Sequence, residues 1–173
     1  MSTDRSLAAI GWVAVLVVAP IAVAGVAFSL LPEPIAQPIV FSHHLHVEEV
    51  GAECVDCHRY ARSGVRATIP NIQVCAGCHQ EAQTESPEEA KLFEYIRDDR
   101  PIPWRKIYWV PDHVYFSHRR HTTTAGIECE TCHGAIRERE LPLDRPLVPI
   151  AMDECIRCHQ ETGAAYDCLL CHR

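Results

Sequence analysis

The sequence predicts a mainly helical and irregular fold: a duplicated unit with two centres, one further centre added, behind a single N-terminal apolar helix. Three observations predict it. One phrase is written twice, FSHHLHVEEVGAECVDCH at Phe41–His58 and FSHRRHTTTAGIECETCH at Phe116–His133. All ten cysteines fall in C-x-x-C pairs, each followed at once by histidine. Leu7 to Leu31 is a run of 25 residues without a charge. Strand patterning is absent apart from brief pieces near Ile107 to Val110.

The apolar run is long enough to span a hydrocarbon core of about 30 Å. A cleaved signal peptide is the competing reading, with Ala22-Val23-Ala24 as its cleavage site. The run continues past that site to Leu31, which favours a retained anchor over residues 1–31. Pro20 within it is tolerable in a membrane helix. Asp4 offsets Arg5, so flanking charge says little about orientation. Residues 32–38, PEPIAQP, form a stiff linker out of the bilayer. The formal charge of −7 argues against a nucleic-acid partner and weakly suits docking to a basic protein surface.

Three chemistries compete for the cysteines, which pair as Cys54/Cys57, Cys75/Cys78, Cys129/Cys132, Cys155/Cys158 and Cys168/Cys171. A C-x-x-C disulfide closes a tiny loop, and five of them would cross-link little of the fold. Zinc takes paired C-x-x-C groups but has no need of histidine directly after each pair. Covalent haem c needs both: two thioethers hold the porphyrin edge and the adjacent histidine becomes the proximal iron ligand. His58, His79, His133, His159 and His172 occupy that position in five motifs out of five. At this histidine content the coincidence has odds of about one in a million. Five haems c are therefore expected. This chemistry places the bulk of the chain outside the cytoplasm, on the periplasmic side of a bacterial inner membrane crossed once.

Each iron has a sixth position. Six histidines lie outside the motifs: His43, His44, His46, His113, His118 and His121. His43 to Cys54 and His118 to Cys129 are both eleven residues; His46 to Cys54 and His121 to Cys129 are both eight. On a helical turn, positions i and i+3 share a face yet diverge enough to reach two different irons. His43, His46, His118 and His121 are the equivalent distal candidates, and His113 serves the fifth iron. His44, opposite Arg119 in the repeat, is the spare, a surface or propionate-contacting side chain. Met152, three residues before Cys155, is a further candidate, since methionine also ligates haem iron. Its repeat counterpart is Ile72, which favours packing, and the choice stays open.

The organisation follows. Residues 39–83 form a first module with two haem sites, and 111–173 a second with three. Residues 84–110 connect them. Ser86-Pro87-Glu88-Glu89 reads as a capping box with proline at the first helical position, opening a helix from Pro87 to Asp98. That helix implies no function by itself. The segment with Trp104, Tyr108 and Trp109 reads as packing on haem faces or as a docking edge for another subunit. Some 140 residues among five haems leaves no large conventional core, so the haems are expected to be the core.

The F-x-H-x-x-H…C-x-x-C-H phrase resembles the class III (c3 and c7) multihaem cytochromes. The stretch from Pro103-Trp104 through Pro111-Asp112-His113-Val114-Tyr115-Phe116-Ser117-His118 to Gly126-Ile127-Glu128-Cys129-Glu130-Thr131-Cys132-His133-Gly134 is more specific. With the apolar N-terminus and five haem motifs, the chain is similar to the pentahaem membrane-anchored cytochrome c subunits (ActA) of bacterial alternative complex III. The resemblance implies electron relay inside a quinol-oxidising respiratory or photosynthetic complex. It implies an iron–sulfur, molybdopterin-enzyme-like partner, polytopic membrane subunits that hold quinone, and a periplasmic cytochrome or copper carrier downstream. It also implies that His113 is a ligand, and it keeps Met152 in question. Related subunits (QrcA) serve a quinone reductase complex running the opposite way. Two other classes stand beside this: a self-sufficient membrane-tethered quinol dehydrogenase, and a multihaem reductase with an open iron, which the surplus of ligands argues against. No substrate chemistry is expected on this chain alone.

Overall fold

The structure, a computed structural model, describes residues 16–26 and 34–172. The chain divides into two compact units, Met1–Pro34 and Ile35–Arg173. The expected anchor lies largely outside the described residues. Its described part, 16–26, is helix α1, whose apolar side chains are exposed, Leu16 at 69% and Val23 at 68%. Among the described residues no helix is long and apolar enough to cross a membrane.

The second unit is a string of short helices joined by turns. In order they are a π-helical turn Leu45–Glu49, α2 Cys54–Cys57, α3 Ile72–Ala76, α4 Pro87–Arg97, a second π-helical turn Arg120–Thr124, α5 Cys129–His133, a 3₁₀ turn Ile136–Glu138, α6 Met152–Thr162 and α7 Cys168–Cys171. The residues near Ile107 to Val110 form no strand, and one isolated antiparallel bridge, Val114 to His172, is the β-type pairing among the described residues.

The repeat is structural as well as written. Both π turns close on a wide ring, Val50 N–H to the Leu45 carbonyl at 2.9 Å and Ala125 N–H to the Arg120 carbonyl at 3.0 Å. Both end at a left-handed glycine, Gly51 at φ +80° and Gly126 at φ +67°. That conformation costs glycine little, and it sends the chain back toward the attachment motif. The turns are also bonded crosswise. His44 N–H donates to the Arg139 carbonyl and Arg119 N–H to the Gly64 carbonyl, each at 3.0 Å. A shift of 75 residues converts one bond into the other. Each π turn is therefore completed by the segment that follows the first C-x-x-C-H motif of the other repeat.

Little apolar surface is hidden. Ile39, Ala61, Ile72 and Leu143 are the buried hydrophobic side chains among the described residues, and none of the large side chains is fully buried. Burial of this extent cannot offset the entropy of ordering such a chain. The residues between the modules brace them instead. Trp104 meets the Phe41 ring edge-on at 6.3 Å. Tyr108 meets His133 edge-on at 4.5 Å, donates to the His133 carbonyl at 3.4 Å and accepts from Leu147 N–H at 3.1 Å. Gln37, at the linker's end, exchanges two 2.9 Å bonds with the backbone of Arg105.

Candidate haem centres

Each attachment motif is one turn of helix. His58, His79 and His172 donate their backbone N–H to the carbonyls of Cys54, Cys75 and Cys168 at 2.8 to 2.9 Å. In that turn, positions i, i+3 and i+4 share a face, so both sulfurs and the imidazole address the same place. Short acceptors start several of these turns. Glu53 and Asp56 form a reciprocal capping box, Asn71 accepts from Val74 N–H, and Asp167 accepts from Leu169 N–H.

The distal candidates are placed by the π turns. Phe41 stands edge-on to His43 at 5.0 Å and stacks on His46 at 4.3 Å. Phe116 treats His118 and His121 alike, at 4.9 and 4.7 Å. The first phenylalanine of the phrase thus fixes both imidazoles. The Nδ1–H of His46 donates to the Ser42 carbonyl at 2.8 Å and that of His121 to the Ser117 carbonyl at 2.9 Å. These bonds leave each Nε2 with its lone pair free, the form a metal takes.

Four motif histidines then meet one of the distal candidates. The ring centroids of His46 and His79 are 6.3 Å apart, those of His121 and His159 6.2 Å, and those of His118 and His133 6.5 Å. His113 and His172 are closer, at 5.5 Å with planes 19° apart, held by the Val114–His172 bridge and a 2.7 Å bond from Tyr115 N–H to the Cys171 carbonyl. A metal–imidazole bond of about 2.0 Å, with a centroid about 1.1 Å behind its nitrogen, puts two rings on one metal about 6 Å apart. The donor sets and the ring spacing therefore fit haem iron. His43 and His58 are the repeat equivalents of His118 and His133. Burial drives the pKa of His43 down to about 4, helped by His58 and then His46, and its Nδ1 is buried without a partner.

Met152 lies outside these pairs and is 64% exposed at the start of α6. His44 faces Glu49 at 3.4 Å on the surface. The thiols give the centres a spatial order. Burial raises the pKa of Cys54, Cys57, Cys75, Cys132 and Cys155, and neighbouring thiols raise it further. The neighbours are Cys129 for Cys54, Cys78 for Cys57, Cys57 for Cys75, Cys158 for Cys132 and Cys171 for Cys155. The sites follow one another as second, first, third, fourth, fifth.

One site residue escaped sequence reasoning. Glu89, expected to cap Ser86, turns the other way and accepts the Nδ1–H of His79 at 2.8 Å. Ser86 N–H goes instead to the Thr84 hydroxyl at 3.1 Å, while the Ser86 hydroxyl caps Glu88. Nothing local in the sequence signals this, because the ten-residue reversal from His79 to Glu89 is a tertiary event.

A family model described as cytochrome c7 and related cytochrome c matches residues 39–92 and 114–173. A protein of Nitratidesulfovibrio vulgaris named "Menaquinone reductase, multiheme cytochrome c subunit" is 32% identical over 165 residues, covering 79% of this chain and 77% of that protein.

Proposed function

The chain belongs to the cytochrome c7 and related cytochrome c family, and from that premise we propose that it is a membrane-anchored pentahaem cytochrome relaying electrons in a quinone-linked complex of the inner membrane. Membership makes it a multihaem c-type cytochrome of electron transport. Haem c, when bound, supplies one-electron ferric/ferrous exchange. Everything else is the work of the chain's residues. The five C-x-x-C pairs fix the porphyrin edges. The imidazole pairs His43–His58, His46–His79, His118–His133, His121–His159 and His113–His172 would hold the five irons, which would leave Met152 outside the ligand set. Two imidazoles to each iron would leave no position for a substrate. The observation that carries the reading is the row of paired imidazoles at 5.5 to 6.5 Å on thiol pairs that adjoin one another in sequence 2–1–3–4–5.

The finer assignment is a quinol-oxidising complex of the alternative complex III kind. Its iron–sulfur, molybdopterin-enzyme-like subunit and polytopic quinone-binding subunits flank this chain, and a periplasmic cytochrome or copper carrier accepts its electrons. The uncharged run Leu7–Leu31 supports a single-pass anchor with the modules on the periplasmic side. A second reading has a specific observation in its favour. The Nitratidesulfovibrio vulgaris relative is named a menaquinone reductase subunit, which would reverse the flow and make this chain the entry to the quinone pool.

Mild detergent extraction from native membranes, followed by identification of what stays bound, tests the assembly. Co-purified iron–sulfur and polytopic subunits are expected. A chain that emerges alone, still reducible by quinol, overturns the assembly in favour of a self-sufficient quinol dehydrogenase. In the intact complex, haem reduction by added quinol supports the oxidising direction. Quinone reduction by pre-reduced haems, with no reverse reaction, supports the reductase.

A further inference from the structure

We propose that Glu89 is a positioning residue that sets the redox potential of the second haem site below that of its repeat counterpart, the fourth, by pulling the His79 Nδ1 proton toward a carboxylate. The proposal rests on the pentahaem reading above. It starts from a difference in what stands behind equivalent ligands. His46, His58, His118, His121 and His159 all give their Nδ1–H to backbone carbonyls: Ser42, Thr68, Val65, Ser117 and Ala165, at 2.6 to 3.1 Å. His79 gives its to Glu89 Oε1 at 2.8 Å. Among the described candidate ligands this is the one backed by a carboxylate.

The carboxylate is built to stay charged. Its side chain is 7% exposed, yet it collects Gln83 N–H on Oε1 at 2.9 Å and both Thr84 N–H and the Thr84 hydroxyl on Oε2 at 2.7 Å. With His79 that makes four donors on two oxygens, the environment that favours the charged form of a carboxylate. A buried fixed charge acts in a low dielectric, where its effect on a neighbour is largest. A carboxylate behind a metal-bound imidazole raises the ligand's basicity. More electron density on Nε2, and a negative charge nearby, stabilise ferric over ferrous iron, so the potential falls. His159, with a neutral carbonyl behind it, receives neither contribution.

The competing hydrogen bonds supply a test of sign. Glu89→Gln removes the charge while keeping the shape. Thr84→Val strips one donor from Oε2, and with it the acceptor of Ser86 N–H, leaving more of the carboxylate's charge to His79. The purified full-length holoprotein is titrated potentiometrically, followed optically and by low-temperature EPR, after haem content is counted by mass. One redox component is expected to move positive in Glu89→Gln and the same component negative in Thr84→Val. Its g-anisotropy should change in opposite senses. A general loosening would shift both variants the same way. Shifts of the same sign, or none, overturn the proposal while leaving the relay reading intact. Should Glu89→Gln lose a haem, Thr84→Val decides alone: a positive or absent shift overturns the proposal. Wild-type protein lacking haem on Cys75 and Cys78 overturns both the proposal and the pentahaem reading. An empty pull-down with the expected shifts would sink the assembly and not Glu89.

Discussion

In the first module the turn after His43 and His46 carries Val47 and Glu48; in the second, the same positions are Thr122 and Thr123. Those threonines are bonded across the molecule, the Thr122 hydroxyl to the Ala61 carbonyl at 2.8 Å and the Thr123 hydroxyl to the Arg62 carbonyl at 2.6 Å. Glu48 has an exposed, 4.0 Å approach to Arg137 in their place. Behind the ligands the asymmetry runs the other way. The first module has the carboxylate on His79, and the second offers only a carbonyl to His159. The repeated phrase thus sets the equivalent imidazoles alike against their phenylalanines, while the residues free to differ decide firmness in one module and charge in the other.

The largest effects test the shared part. His46→Ala and His121→Ala should each retain all five thioether-linked haems by mass and convert one haem to high spin. His118→Ala should do the same for the third site. An equal high-spin share by EPR in the two repeat-equivalent variants supports equivalence. A variant that remains fully low spin breaks the pairing of its histidine. Met152→Leu should leave the low-spin spectrum unchanged, and a new high-spin haem there would return methionine to the ligand set.

The next effects concern the bracing. Thr122→Val with Thr123→Val should cost about 2 kcal/mol in thermal or denaturant unfolding, from two lost hydrogen bonds of about 1 kcal/mol each. Glu48→Gln, removing an exposed ion pair, should cost well under 1 kcal/mol. A larger loss from Glu48→Gln would reverse the ranking of the two turns. Smallest, Gly51→Ala and Gly126→Ala should cost about 1 kcal/mol apiece and nearly the same amount. Both have positive φ with open space where a Cβ would sit, so backbone conformation alone is at stake. Unequal costs would show that one turn relaxes and the other does not.

The C-x-x-C-H motifs stand out in the sequence because covalent haem chemistry would dictate residue types at fixed spacing, and the structure brings four of the expected distal histidines within 5.5 to 6.5 Å of a motif histidine. The connecting helix was legible too. Expected from Pro87 to Asp98, it runs Pro87–Arg97, with Ser86 as its cap. The scarcity of buried apolar side chains was also readable, from the few residues available for each expected centre. The π-helical form of the ligand turns was not, since their sequence carries only the i, i+3 pair and no marker of a widened ring. Nor was the pairing of rings, which depends on chain reversals over tens of residues. Glu89 was misread for a physical reason. The Ser-x-x-Glu pattern assumes the carboxylate has only its own helix end to satisfy, and His79 was a stronger donor brought close by the fold.

The crosswise bonds from His44 to Arg139 and from Arg119 to Gly64 have a bearing on ancestry. Position i of one half meets position j of the other, and j meets i, which is the signature of an isologous two-fold interface. A lone unit bearing this phrase, folded as here, would need a second copy to supply the carbonyl that finishes its π turn. Fusing the copies through residues 84–110 replaces a concentration-dependent encounter with a tethered one. Within one chain the halves are free to differ in charge, as the groups behind His79 and His159 do, whereas a homodimer carries every substitution twice.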